Sequence, residues 1–157
     1  MSDRDRDAVT VQRATLADEP AAWAIVDEYN ATFGVLLRDD VAALRKYLDG
    51  PGAFWLARDG NELAGCVALR PLPEVGSRAC EVKRLYVRPA YRGARVAGAL
   101  MDALEAYAHE AGYEMVYLDT RADFTAAVRF YQRRGYESVP RYNDNPEAAV
   151  FMRRAPA

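Results

Sequence analysis

Cysteine and histidine are scarce in this sequence. Its 157 residues include two cysteines, Cys66 and Cys80, and one histidine, His109. Two cysteines are too few for the disulfide framework of a small secreted domain, so both are predicted to be small core residues. Because no second His or Cys stands at ligand spacing from His109, no metal site is expected. His109 is predicted to lie on the polar face of a long helix, beside Asp102 and Glu105.

Long apolar runs are absent as well. No stretch of about 18 consecutive apolar residues occurs, so no segment is expected to span a bilayer. Residues 2–7 are mostly charged, where a signal peptide needs an apolar stretch. We therefore expect a cytoplasmic protein with a flexible tail over residues 1–8 and a single domain over residues 9–157.

Neither sign of charge dominates. The sequence has 21 Lys+Arg and 23 Asp+Glu, a formal net charge of −2, which gives no reason to expect nucleic acid or an anionic membrane as a partner. Only Lys46 and Lys83 are lysines. The arginine fork suits phosphate and carboxylate, but a coding bias explains the excess equally well. A hydrophobic content of 51% excludes a disordered chain.

Hydrophobic periodicity predicts alternating strands and helices. The predicted strands cover residues 9–14, 53–58, 62–70, 80–87, 115–119, 136–139 and 148–152. The predicted helices run from a cap at Asp18 to near Gly34, from after Asp40 to a stop at residues 50–52, over 92–112, and from a cap at Thr125 to Arg134.

The order of these elements predicts the sheet. A strand, a long helix and a strand follow one another over residues 81–119, which requires a crossover and favours a parallel pair. The strands upstream read as an antiparallel meander. We therefore predict an α/β fold with a central, mostly antiparallel mixed sheet and helices on both faces.

The segment over residues 85–100 carries the chemistry. A strand ends, Pro89 breaks it, and small residues then open a long helix. The first turn of a helix has unpaired backbone N–H groups and the positive end of the dipole, so small side chains there can admit an anion. Arg92 and Arg95 flank the turn. The segment matches neither a Walker loop nor a dinucleotide-binding fingerprint, and close packing of small residues on the sheet explains it equally well.

Two motifs resemble those of the GCN5-related N-acetyltransferase (GNAT) superfamily. Leu85-Tyr86-Val87 followed by Tyr91-Arg92-Gly93-Ala94-Arg95-Val96-Ala97 resembles its acetyl-CoA-binding motif. Ala127-Val128-Arg129-Phe130-Tyr131-Gln132-Arg133-Arg134-Gly135-Tyr136 resembles its second signature. The motifs occur in the family's order and separation, and the order of strands and helices agrees over residues 9–152.

The resemblance implies a three-layer fold and a binding mode for acetyl-CoA. The turn would bind the pyrophosphate through backbone N–H groups. The strand before it would part from the next parallel strand and pair with the pantetheine arm, with backbone contacts from Leu85 and Val87. The implied cofactor-binding residues are Leu85, Tyr86, Val87, Arg92, Gly93, Ala94, Arg95, Val96, Ala97, Phe124 and Tyr131.

The sequence departs from the family pattern at two of these positions. Arg95 stands where the family usually has glycine. Because Arg95 carries a Cβ, we expect it to have a negative φ within the helix, with its side chain reaching a CoA phosphate. Phe124 stands where many relatives have an asparagine, so one cofactor contact is expected to be missing or replaced.

Transfer of acetyl from a thioester to an amine needs a neutral amine and a proton for the departing thiolate. Tyr131 matches the family position that protonates the CoA sulfur; a core aromatic is the alternative. Glu81 stands where some members have a general base, on the same strand face as Lys83, Leu85 and Val87 by alternation. A surface ion pair of Glu81 with Lys83 is the competing interpretation.

The acceptor is expected to contact Tyr29, Phe33, Arg84 and Tyr142. Tyr142 lies in a turn-rich segment, residues 141–146, whose composition is also that of a simple connection. The resemblance implies direct acetyl transfer to a primary amine of a small molecule or peptide in a ternary complex, and it is compatible with a homodimer. A non-catalytic acyl-CoA-binding module is the alternative, and a different nucleotide-binding α/β protein is a third hypothesis.

Overall fold

The computed structural model describes residues 9–35, 40–93 and 95–156. The predicted tail over residues 1–8, and Ala94 of the predicted cofactor site, lie outside these ranges. The helices are α1 (Glu19–Phe33), α2 (Val41–Leu48), α3 (Val96–Glu110) and α4 (Thr125–Arg133). The strands are β1 (Val9–Arg13), β2 (Ala53–Asp59), β3 (Glu62–Pro71), β4 (Ala79–Val87), β5 (Met115–Thr120), β6 (Glu137–Ser138) and β7 (Val150–Arg154).

The strands of the described residues form one mixed sheet in the hydrogen-bonded order β1-β2-β3-β4-β5-β7-β6. β1 pairs antiparallel with β2, β2 with β3, β5 with β7, and β6 with β7. β4 and β5, which α3 connects, are parallel. This confirms the predicted mixed sheet with a parallel pair.

The described residues of 1–70 and 83–104 form a first compact unit. Its core joins α1 and α2 to β2 and β3 through the buried side chains Ile25, Leu44, Phe54 and Leu56. α1 ends at Gly34, which has a φ of +62° and donates its N–H to the carbonyl of Asn30. A left-handed C-cap of this kind suits glycine, which has no Cβ to clash.

The predicted N-cap of α1 differs in detail. Asp18 occupies the cap position, but its side chain makes no cap hydrogen bond to α1. The Asp18 carboxylate accepts the Thr15 N–H at 2.9 Å and so caps the short 3-10 helix Leu16–Asp18 that precedes α1. Asp40 does cap α2, since its carboxylate accepts the Ala43 N–H at 2.8 Å.

The described residues of 71–82 and 105–157 form a second compact unit. Its core contains Leu72, Ala79 and Tyr117, with Val139 and Tyr142 packed against them. β4 and α3 each contribute residues to both units. The single-domain organisation over residues 9–157 stays a prediction.

Glu105 corrects the expectation for the polar face of α3. His109 is exposed as predicted, but Glu105 is only 5% exposed. The Glu105 carboxylate accepts hydrogen bonds from Arg134 at 2.6 Å, Tyr136 at 2.8 Å and Arg154 at 3.3 Å. A buried carboxylate is tolerated where charged partners satisfy it, and these partners lie too far along the sequence for helical spacing to reveal them.

Candidate functional site

β4 contains a break in its regular extended backbone. Arg84 has a φ of +57°, a left-handed conformation that is uncommon for a residue with a Cβ. The Cys66 thiol donates to the Arg84 carbonyl oxygen at 3.2 Å. Strand alternation requires continuous extended backbone. Alternation along β4 is therefore interrupted at Arg84 and does not place Glu81 on the same face as Leu85 and Val87.

The parallel pairing of β4 with β5 involves the first part of β4. Its register runs from Ala79↔Met115 to Glu81↔Tyr117, whereas β4 itself continues to Val87. Leu85 and Val87, two of the predicted cofactor contacts, are half-buried.

The side chain of Tyr86 is packed in the core of the first unit. Tyr86 is 3% exposed, and its hydroxyl donates to Glu28 Oε1 at 2.8 Å. Arg88 also binds Glu28, with its Nη2 2.9 Å from Oε2, and donates from Nη1 to the Leu63 carbonyl at 3.0 Å. Burial raises the pKa of Tyr86 above its ordinary value. Any cofactor contact of Tyr86 would therefore use its backbone.

Glu28 and Arg88 are residues that the sequence reasoning missed. They fix the end of β4 where the predicted pyrophosphate turn begins, and the Arg88 N–H also donates to the Ala64 carbonyl at 2.8 Å. No local pattern signals this ion pair, because its partners are 60 residues apart in the sequence.

The turn after β4 differs from its prediction. α3 begins at Val96, not at Arg92. Gly93 has a φ of +78° and Arg95 a φ of +63°, so the expected negative φ of Arg95 is wrong. The Arg95 carbonyl accepts the Ala99 N–H at 3.0 Å, which shows that the left-handed residue stands at the entry to the helix.

The charged side chains of this turn face solvent. Arg92 and Arg95 are exposed, and Arg92 donates from Nε to the Val87 carbonyl oxygen at 3.3 Å. Val96, at the start of α3, is buried, whereas Ala97 is half-buried.

Three of the predicted acceptor contacts lie together in the first unit. The rings of Tyr29 and Phe33 are 4.9 Å apart, and the Arg84 guanidinium carbon lies 5.6 Å from the Tyr29 centroid. The buried Tyr86 ring packs against both aromatic rings, with its centroid 6.1 Å from that of Tyr29 and 5.9 Å from that of Phe33. Beside it on α1, the buried side-chain oxygen of Asn30 has no hydrogen-bond partner within the described part of the chain.

The fourth predicted acceptor contact, Tyr142, lies in the second unit against the predicted base. The Tyr142 hydroxyl donates to Glu81 Oε2 at 2.6 Å. Glu81 is 1% exposed, so a surface ion pair with Lys83 does not describe it. The Tyr142 ring also makes an edge contact with Tyr117, at 5.2 Å between centroids.

Tyr131 is surrounded by aromatic rings. It is 7% exposed, with Phe130 at 5.4 Å and Tyr136 at 5.6 Å between ring centroids. Its carbonyl accepts the Tyr136 N–H at 3.0 Å across the turn at Gly135, whose φ is +92°. This packing suits a core aromatic, and the acid role of Tyr131 stays a prediction.

Phe124 precedes α4. It occupies the N-cap position without a side-chain cap, so the helix begins at Thr125, the residue predicted as the cap. The Arg121 guanidinium carbon lies 4.8 Å from the centroid of the Phe124 ring, a cation–π contact.

Neither a metal cluster nor a membrane helix is found among the residues that the structure describes. Those residues include no group of three or more His, Cys, Asp or Glu side chains arranged to hold a metal ion. No helix in the same ranges is long and apolar enough to cross a membrane.

The mixed sheet, its parallel pair and the strand–turn–helix segment agree with the fold that the resemblance to the GNAT superfamily implies. The model of the acetyltransferase (GNAT) family matches residues 19–136. The chain therefore belongs to this family and is an acetyltransferase of the GNAT type.

Several known proteins are similar to this chain. An uncharacterized N-acetyltransferase of Schizosaccharomyces pombe, C1271.07c, is 38% identical over 82% of this chain and 83% of its own length. The uncharacterized N-acetyltransferase YjgM of Escherichia coli is 28% identical over 82% of each. The crystal structure of a GNAT-family acetyltransferase from Staphylococcus aureus Mu50 has a TM-score of 0.79 at 20% identity, covering 95% of this chain and 99% of that one. This last likeness shows the fold.

Proposed function

We propose that the protein transfers an acetyl group from acetyl-CoA to a primary amine of a small molecule or peptide, directly and in a ternary complex. The observation that carries the proposal is the turn between β4 and α3. Among the described residues, no atom lies within 4 Å of where a Cβ on Gly93 would stand, apart from its chain neighbours. The backbone there is open, and exposed Arg92 and Arg95 flank it.

This turn fits the pyrophosphate of CoA. A diphosphate needs backbone N–H donors that it can approach closely, together with positive charge. Gly93 supplies an approachable backbone N–H, and Arg92 and Arg95 supply the positive charge. The half-buried backbone of Leu85 and Val87 is the proposed partner of the pantetheine arm, and Val96 and Ala97 begin the helix behind the phosphates.

The chemical step needs an acid and a base. The neutral amine attacks the thioester carbonyl, a C–N bond forms, and the C–S bond then breaks as the sulfur takes a proton. We assign the proton to the Tyr131 hydroxyl and removal of the amine proton to Glu81. The aromatic rings around Tyr131 hold its own ring in place, which supports the acid role.

We assign acceptor contacts to Tyr29, Phe33 and Arg84 within the first unit, and a separate acceptor contact to Tyr142 within the second. Aromatic faces suit a small amine or a peptide terminus, and the arginine suits a carboxylate elsewhere on such an acceptor. A cytoplasmic location, and partners that exclude nucleic acid and membrane, belong to the same proposal.

Replacing Tyr131 with Phe tests the assignment. In a screen of small amines, amino acids and peptide N-termini with acetyl-CoA, we expect turnover by the wild type and a kcat about 100-fold lower in Tyr131→Phe. The affinity for CoA, measured by calorimetry, should be unchanged, because the ring remains.

Tyr113→Phe, which removes a hydroxyl from a half-buried tyrosine between α3 and β5, is the matched control and should keep wild-type turnover. Binding of CoA without turnover of any amine by the wild type would instead indicate a non-catalytic module. Binding of ATP or NAD but not of CoA would refute the proposed function altogether.

A further inference from the structure

Glu81 has the chemistry of a base but is sealed from an acceptor. Its side chain belongs to a residue that is 1% exposed, so an amine arriving from solvent has no direct route to the carboxylate. The Tyr142 hydroxyl donates to Glu81 Oε2 at 2.6 Å, and Tyr142 itself is only half-buried. A hydrogen bond of this length between a hydroxyl and a carboxylate is strong and well suited to proton movement.

The Tyr142 ring is held on two sides. Its centroid lies 5.2 Å from that of Tyr117 and 5.3 Å from that of Phe151, both in edge-on geometry. The guanidinium carbon of Arg141, which precedes Tyr142 in the chain, lies 4.7 Å from the centroid of the Phe151 ring in β7. These contacts limit the ring to a narrow range of positions.

The loop that carries Tyr142 is held by polar contacts. The Arg141 guanidinium donates to the carbonyls of Asn143, Asn145 and Ala148 at 3.2, 3.1 and 2.8 Å. The Asn143 side chain donates to Asp119 Oδ2 at 2.6 Å. A preorganised loop of this kind keeps the phenol oxygen in place without reordering during a reaction.

We infer that Tyr142 and Glu81 form a proton relay that deprotonates the acceptor ammonium. The inference rests on the proposed function and deepens it, since Tyr142 becomes a catalytic residue and Glu81 acts through it. A proton leaves the ammonium nitrogen for the Tyr142 oxygen as the Tyr142 proton passes to Glu81 Oε2. The products are a neutral amine, a neutral tyrosine and a neutral Glu81 carboxylic acid, so atoms and charge balance.

Other titratable and polar groups lie close to Glu81 on β4 and β5. The neighbouring Cys80 thiol, whose pKa burial and the charge of Glu81 raise to about 12, stays neutral. On β5, Asp119 is held by Asn143, and the Tyr117 hydroxyl accepts from Arg153 Nη1 of β7 at 3.2 Å.

The test compares Tyr142→Phe with Tyr117→Phe, which removes a neighbouring hydroxyl and keeps its ring. We expect Tyr142→Phe to lower kcat about 10- to 100-fold, with the KM for the amine within about twofold of wild type. In mixtures of light and heavy water the wild-type rate should curve, because more than one proton moves, and the Tyr142→Phe rate should vary linearly. Tyr117→Phe should retain the kcat and the curvature.

Glu81→Gln is the second variant, and it tests the relay even if Tyr142→Phe fails to fold. Glutamine can still accept the Tyr142 hydrogen bond but cannot take its proton, so kcat should fall about as far as in Tyr142→Phe and the heavy-water dependence should become linear. A raised KM with unchanged kcat in Tyr142→Phe would make Tyr142 a binding residue only and overturn the relay. A lower kcat in Tyr142→Phe with the wild-type heavy-water profile would make the role of Tyr142 structural and would also overturn the relay.

The experiments distinguish failure of the proposed function from failure of the relay. A wild type that acetylates no amine refutes both statements, whereas an active wild type with fully active Tyr142→Phe and Glu81→Gln variants refutes the relay alone.

Discussion

Arg95 holds a backbone conformation that suits glycine better. A left-handed φ costs a residue with a Cβ roughly 1–2 kcal/mol relative to the ordinary helical region, and Arg95 has a φ of +63°. The exposed side chain at this position is therefore retained at a cost in stability, which is consistent with a role for its charge.

Two substitutions separate the charge of Arg95 from its backbone. Arg95→Gly and Arg95→Ala both remove the guanidinium, but only glycine relieves the strain. We expect Arg95→Gly to be more stable than Arg95→Ala by about 1 kcal/mol in urea unfolding. Both should weaken CoA binding about two- to fivefold at low salt and less at high salt. Unchanged CoA affinity in both variants at low salt would assign Arg95 to the surface alone.

Arg84 is the other left-handed residue with a side chain, and it lies inside a strand. Strain of this kind is frequently found at functional sites, and the Arg84 guanidinium lies over Tyr29 of the proposed acceptor cluster.

At the scale of secondary-structure elements, β3 and β4 approach closely at Gly65. A Cβ at this position would stand 2.5 Å from the Tyr86 carbonyl oxygen and 3.3 Å from a Leu100 methyl. Because the nearest atom belongs to the backbone, it cannot rotate away, and the strands would have to separate.

Gly65→Ala should therefore destabilise the fold by about 2–3 kcal/mol in urea unfolding. Gly76→Ala is the control, because no described atom lies within 4 Å of the Cβ it would add, and it should unfold like the wild type. Equal stability of the two variants would contradict the close approach of β3 and β4.

Elements with a strong local pattern were predictable. Apolar spacing with flanking Gly34 and Asp40 predicts α1 and α2, and their observed bounds agree closely. The sequence predicts the start of α3 four residues too early, because Arg95 suits a helix in propensity and only tertiary context selects its left-handed turn.

The candidate site was predictable only as a set of positions. Tyr29 and Phe33 are four residues apart on one helix, so their sequence spacing predicts that they lie close together. The contact of Tyr142 with Glu81 joins residues 61 apart, and that of Tyr86 with Glu28 joins residues 58 apart. Contacts at these separations depend on the folded chain.

At the scale of the whole molecule, buried acidic groups make stability depend on pH. Burial, the largest cause in each case, raises the pKa of Tyr91 and of Cys80 to about 12. Burial likewise raises the pKa of Tyr136 and Cys66. In the unfolded chain these groups lose their protons near pH 8.5 to 10.

The free energy of unfolding should therefore fall as the pH rises. Below about pH 8.5 both states keep these protons and the stabilisation is complete. Between about pH 9 and 12 the folded chain holds protons that the unfolded chain has released, so stability is lost until the folded-state pKa is reached. Urea unfolding at pH 8, 9.5 and 11 measures this decline. Tyr91→Phe should make it less steep, and a constant free energy over the range would contradict the prediction.

The two compact units each contain one of the two cysteines, Cys66 in the first and Cys80 in the second. Both thiols are inaccessible in the folded protein, so a maleimide or similar reagent can label either one only during a transient opening. Peptide-resolved labelling rates would thus report separately how often each half of the protein opens, without any introduced probe.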